Sequence, residues 1–98
     1  MARPRKCRCI RSRPNAVYFK PRGIPLVELE ELTVTLDEFE AVRLADYEGL
    51  YQEDGAGRMK ISRATFGRIL ADAHRKIAEC LVKGKALRIE IAQRKEEE

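Results

Sequence analysis

The sequence has no tryptophan, a single histidine (His74) and three cysteines among its 98 residues. One histidine cannot form a histidine pair, no nucleophile stands beside a paired base, and no glycine-rich loop for a phosphate occurs. The side chains that catalysis needs are missing, so the chain reads as a non-enzyme. No run of eighteen apolar residues exists, which excludes a transmembrane helix. The basic start, Met1-Ala2-Arg3-Pro4-Arg5-Lys6, is not followed by an apolar stretch, which excludes a secretory signal. An odd cysteine count, with Cys7 and Cys9 too close for a favourable bridge, points to a reduced, cytoplasmic protein.

Cys7-Arg8-Cys9, the remote Cys80 and His74 do not make a zinc site within one chain. Structural zinc takes four ligands, commonly in pairs spaced C-x₂₋₄-C, and here the spacing is C-x-C. No metal and no cofactor is expected, and Cys80 reads as a core residue. A two-fold assembly would bring two Cys7/Cys9 pairs together, so metal binding and redox sensing by that pair both stay open.

What the chain does have is segregated charge. Residues 1–25 hold eight Lys or Arg and no acid, and residues 26–57 hold ten acids and one base, Arg43. Residues 58–95 hold eleven bases and three acids, and Glu96, Glu97 and Glu98 close the chain. Such a pattern attracts a polyanion at two places and repels it at a third. The acidic stretch from Glu28 to Asp54 reads as a solvated face turned away from that polyanion, or as a dock for a basic partner or for the basic arm of a second copy.

The expected organisation is one mostly α domain over residues 16–92, with a basic arm over 1–15 and a charged tail over 93–98. Ala16–Lys20 is a short β-prone run closed by Pro21 and Gly23. Thr35-Leu36-Asp37-Glu38 has capping-box spacing, with Val34 and Phe39 placed for a hydrophobic staple. It opens a helix over Leu36–Tyr47 that Gly49 ends. A second helix over Gln52–Met59 is weak, because Gly55 and Gly57 each cost about 1 kcal/mol relative to Ala. Ser62 caps a third, along which Phe66, Ile69, Leu70, Ala73, Ile77, Cys80 and Leu81 recur at helical steps, up to a cap at Gly84. Leu87, Ile89 and Ile91 then alternate with charges as a half-buried strand, for which Val17-Tyr18-Phe19 offers a partner within the chain or across a dimer.

Gln52 to Ile69 matches the helix-turn-helix pattern. Gln52 is first, Ala56 is fifth where the helices cross closely, and Lys60 is ninth in the turn. Ile61 then plugs the core, Ser62 opens the reader helix, and Phe66 and Ile69 face inward. A short helix thereby holds a second one so that its N-terminal end enters the major groove. Glycine is usual at the ninth position, so either Lys60 adopts the left-handed conformation at a cost of about 1–2 kcal/mol or the turn differs. Outward positions assign the contacts. Arg63 and Arg68 suit guanine O6 and N7, and Ala64 and the Thr65 methyl suit a thymine methyl. Gly67 permits close backbone approach. Gln52, Lys60 and Ser62 are placed for phosphates, Arg75 and Lys76 for the backbone further on. The arm residues Arg3, Arg5 and Lys6 suit a minor groove or phosphates.

Several segments together resemble a family of small bacterial and archaeal proteins predicted to bind DNA. These are Tyr18-Phe19-Lys20-Pro21-Arg22-Gly23-Ile24-Pro25-Leu26, Arg43-Leu44-Ala45-Asp46, Glu48-Gly49-Leu50-Tyr51-Gln52-Glu53, Ser62-Arg63-Ala64-Thr65-Phe66-Gly67-Arg68-Ile69-Leu70 and Gly84-Lys85-Ala86-Leu87-Arg88-Ile89. That family is similar to region four of bacterial sigma factors. The resemblance implies a mostly helical, sigma region four-like helix-turn-helix with an extended basic N-terminal arm and a short C-terminal strand. It departs at Asp54-Gly55-Ala56-Gly57 and at Lys60, which bear on the rigidity of the second helix. The function so expected is sequence-specific binding of double-stranded DNA by a transcriptional regulator, acting as a homodimer. The alternatives are a protein-interaction module that keeps the fold, and an RNA binder.

Overall fold

The computed structural model describes residue 10 and residues 14–90. Most of the arm, with Arg3, Arg5, Lys6, Cys7 and Cys9, lies outside the described residues, as do Ile91 and the tail.

Three helices and a three-stranded sheet make up the fold. The strands are β1 (Tyr18–Phe19), β2 (Glu31–Val34) and β3 (Ala86–Ile89), in the order β1-β3-β2. β1 runs antiparallel to β3, with Phe19 opposite Leu87, and β2 runs parallel to β3, with Val34 opposite Ile89. A parallel pair needs a long crossover. All three helices supply it between β2 and β3. The expected pairing of residues 17–19 with the last strand is present within one chain. The strand β2 was not expected, so the sheet has three strands where a pair was foreseen.

Helix α1 (Leu36–Val42) starts as its sequence dictates. Thr35 Oγ1 accepts from the Glu38 amide at 3.2 Å, and Glu38 Oε1 accepts from the Thr35 amide at 3.0 Å. The helix widens into a π-helical turn over Arg43–Tyr47, where the Glu48 amide reaches back to the Arg43 carbonyl at 2.8 Å. Gly49, at φ +77°, then reverses the chain, as only a residue without Cβ does at no steric cost.

Helices α2 (Gln52–Met59) and α3 (Arg63–Lys83) have the expected limits. Ser62 caps α3 by accepting from the Thr65 amide at 3.1 Å, and Gly84 at φ +69° ends it. α3 is about 31 Å long and packs against α1, α2, β2 and β3. The core between the helices is Ala41, Leu44, Ala56, Met59, Phe66 and Leu70. Val34, Ala73, Ala86 and Ile89 are buried where α3 meets the sheet.

Two expectations fail here. Leu81 continues the apolar stripe of α3 but is 79% exposed, because the core ends before the helix does. The acids of α1 are not all on an exposed face. Glu38 and Glu40 are buried, and Glu40 is fully enclosed.

Candidate nucleic-acid interface

The link between α2 and α3 is a Schellman-type turn. The Ile61 amide donates to the Ala56 carbonyl at 3.1 Å and the Lys60 amide to Gly57 at 3.2 Å. Lys60 is left-handed, at φ 59° and ψ 45°, and no other described non-glycine residue has positive φ. The conformation expected of a glycine is thus taken by lysine. Ile61 packs onto the core beside it.

The close approach of the two helices is at Gly55, one residue before the expected Ala56. A Cβ at position 55 would meet Phe66 Cζ at 2.5 Å, so the bare backbone of α2 lies on the Phe66 ring. Ala56 is buried next to it. Nothing surrounds a Cβ at Gly57, so of the two glycines only Gly55 is required by packing.

The outward residues lie mostly where the 3.6-residue period puts them. Lys60, Ser62, Arg63, Ala64, Arg68 and Arg75 are exposed. Thr65 is half-buried beside the Ser62 hydroxyl, 2.9 Å away. Gly67 is also half-buried, because the Gln52 carboxamide occupies the space its side chain would need, 3.0 Å from the Cβ position. Arg75 reaches Asp72 at 3.4 Å. Lys76 turns the other way. Its ammonium donates to the Thr33 carbonyl at 2.7 Å and to Glu38 at 2.9 Å, tying α3 to α1 and to β2.

Charge pairing separates two regions. Around α1 and along the flank of α3 that faces the sheet, Arg43, Lys76 and Lys85 are neutralised. Arg43 grips the buried Glu40 with two bonds, at 3.1 and 2.9 Å, and Glu48 at 2.9 Å. The bond to Glu40 favours the charged guanidinium and raises its pKa above the ordinary value. Lys85 holds Glu79 at 2.6 Å and Glu30 at 3.3 Å, which pushes Lys85 up and Glu79 down. His74 meets Asp46 at 2.7 Å. Much of the acidic stretch is therefore internal ion pairing rather than a free face. Around the α2–α3 turn, by contrast, Arg58, Lys60, Arg63 and Arg68 have no carboxylate partner among the described residues. Arg58 is absent from the sequence-based assignment, although its place in the last turn of α2, two residues before Lys60, is the signal for it.

The family comparison matches residues 1–96 to the model described as "Protein of unknown function DUF134". The chain belongs to the DUF134 family. Among its curated relatives is a UPF0251 protein of Caldanaerobacter subterraneus subsp. tengcongensis, 58% identical over 92% of this chain and 76% of the relative. Another, from Prosthecochloris aestuarii, is 48% identical over 98% of this chain and 63% of its own length. A third, from Desulforudis audaxviator, is 56% identical over 92% of this chain and 59% of its own length. No solved structure matches this DUF134 chain.

No helix among the described residues is long and apolar enough to cross a membrane. No group of three or more His, Cys, Asp or Glu able to hold a metal occurs among them. Cys80, half-buried, donates its thiol to the Ala86 carbonyl at 3.5 Å, and burial raises its pKa.

Proposed function

We propose that this chain binds duplex DNA sequence-specifically, as a cytoplasmic transcriptional regulator whose helix-turn-helix is α2, the turn at Lys60 and α3. The observation that carries the reading is the cluster of four cations around one turn, Arg58, Lys60, Arg63 and Arg68, without a carboxylate partner among the described residues, whereas Arg43, Lys76 and Lys85 are each held by one. Unpaired arginine is what a phosphate backbone and guanine edges require. The similarity to region four of sigma factors fits the same geometry.

In this mechanism the contact of Gly55 with Phe66 sets α3 rigidly on α2, and the N-terminal end of α3 enters the major groove. Arg63 and Arg68 read guanine, while Ala64 and the Thr65 methyl meet thymine methyls. Arg58, Lys60, Gln52 and Arg75 touch phosphates. The Ser62 hydroxyl holds the helix cap and so acts chiefly by fixing that end. Arg3, Arg5 and Lys6 add contacts outside the groove. Deleting residues 1–13 should weaken binding to every duplex and flatten its salt dependence.

Selection from a randomised duplex library with the purified protein, at near-physiological salt, tests the reading. An enriched motif is expected, and no enrichment overturns it. A second reading has its own observation. Tyr47 and Tyr51 are 84% and 81% exposed, and such rings are stacking platforms for single-stranded RNA. Competition between duplex DNA and RNA separates the two.

A further inference from the structure

Seven large apolar side chains are exposed in the described structure, and two are the tyrosines above. Of the other five, Leu81 and Val82 stand in the last turn of α3, about 30 Å along the helix from Ser62, Phe19 shares a groove with Leu81, and Leu26 and Val27 lie on the loop that leads from that groove to β2. Exposed patches of this kind mark contact sites. Two shapes make it up. One is a groove of about 370 Å³ between α3 and the sheet, walled by Phe19, Ile77, Leu81 and Leu87. The other is a knob, the 3₁₀ turn Leu26–Glu28, on which Val27 is 92% exposed.

Knob and groove are neighbours. The loop carrying the knob leaves the groove wall at Pro21 and ends at Glu30, whose carboxylate pairs with Lys85 on the same wall. Their charges are opposite. Glu28 on the knob has no cationic partner among the described residues. On the groove wall Lys20 bonds only the Pro21 carbonyl, and Lys83, next to the groove residue Gly84, has no carboxylate within ion-pair distance among the described residues. An acidic apolar knob beside a basic apolar groove is self-complementary under a two-fold axis.

We propose that this end of the molecule is the contact between two copies of the chain, the Leu26-Val27 turn of each seated in the groove of the other. Glu28 of each copy then meets Lys20 and Lys83 across the axis, giving an apolar centre with a charged rim. The contact closes on itself, so assembly stops at a dimer. It leaves the Ser62 ends of both α3 helices on the far sides of the axis. The inference does not rest on DNA binding, because it is read without nucleic acid.

Light scattering and sedimentation equilibrium on the full chain should return twice the 11.3 kDa chain mass. Val27→Asp, at a solvent-facing position, should keep the circular dichroism spectrum and melting temperature. It should raise the dimer dissociation constant by about tenfold or more. Glu28→Lys should weaken the dimer as well, and adding Lys20→Glu and Lys83→Glu to the same chain should restore it. Tyr51→Asp should leave the mass unchanged. A monomeric wild-type chain overturns the proposal and returns the groove to an acidic apolar partner. A dimer indifferent to both Val27→Asp and Glu28→Lys also overturns it, because the copies then meet elsewhere.

Discussion

The start of α3 and its flank against α1 and β2 belong to one helix but treat cations in opposite ways. Along the flank, Lys76 is held by Thr33 and Glu38, and in the π-helical turn after α1 Arg43 clasps a fully buried carboxylate. At the start, Arg63 and Arg68 project with nothing to neutralise them among the described residues. The first arrangement contributes to folding, since a buried charge is tolerated only when paired and hydrogen-bonded. The second makes no ion pair among the described residues, and under the proposed function its partner is an anion from outside.

The contrast breaks most visibly with Arg43→Ala, which strips two charge-assisted bonds from Glu40. Removing one partner of a buried pair should cost about 3 kcal/mol or more, measured by chemical denaturation. Arg68→Ala should leave the denaturation midpoint alone and weaken binding to the selected duplex by about 1–3 kcal/mol, measured by titration. If Arg68→Ala also destabilised the fold, the division between the two regions would fail.

Next come the two glycines of α2. Gly55→Ala drives a methyl into the Phe66 ring and should destabilise by about 1–3 kcal/mol, despite alanine's better helix propensity. Gly57→Ala points into open space and should stabilise by about 1 kcal/mol. Paired thermal melts test both signs.

The smallest effect is in the pH dependence. The Lys85 hydrogen bond holds the Glu79 carboxyl below its ordinary value. That contribution is complete above the ordinary carboxylate range and is lost as pH falls through the lowered value. Lys85 is raised by the same bond, so its part is present below the ordinary lysine value and lost as pH rises through the raised one. The melting-temperature gap between wild type and Glu79→Gln should therefore close as the buffer is taken from pH 7 towards pH 3.

Much of the helical layer was legible because its signals are local. The Thr35 capping box, the Ser62 cap, and Gly49 and Gly84 after the helices each act within a few residues. The exposure of Arg63 and Arg68 follows from the period alone. What could not be read is non-local. β2 has only Leu32 and Val34 as a weak alternation, and the strand it joins lies 55 residues further on, at Ala86–Ile89. The need for Gly55 depends on where the Phe66 ring comes to rest. Lys76 sits at the margin of the exposed face, and a carboxylate from another helix decides its direction. Glu40 reads as one more surface acid until Arg43 is seen folded over it.

The sheet also sets an order of events during synthesis. Its central strand, β3, follows all three helices in the chain, while both flanking strands precede them. The helical layer can therefore assemble from nearby residues while β1 and β2 still wait, unjoined, for their common neighbour. Closure comes only when Ala86–Ile89 emerges, and one strand then fastens both flanks in a single step. A chain cut short at Lys85 would keep α3 yet expose two orphan edges, which makes it a natural target for quality-control proteases.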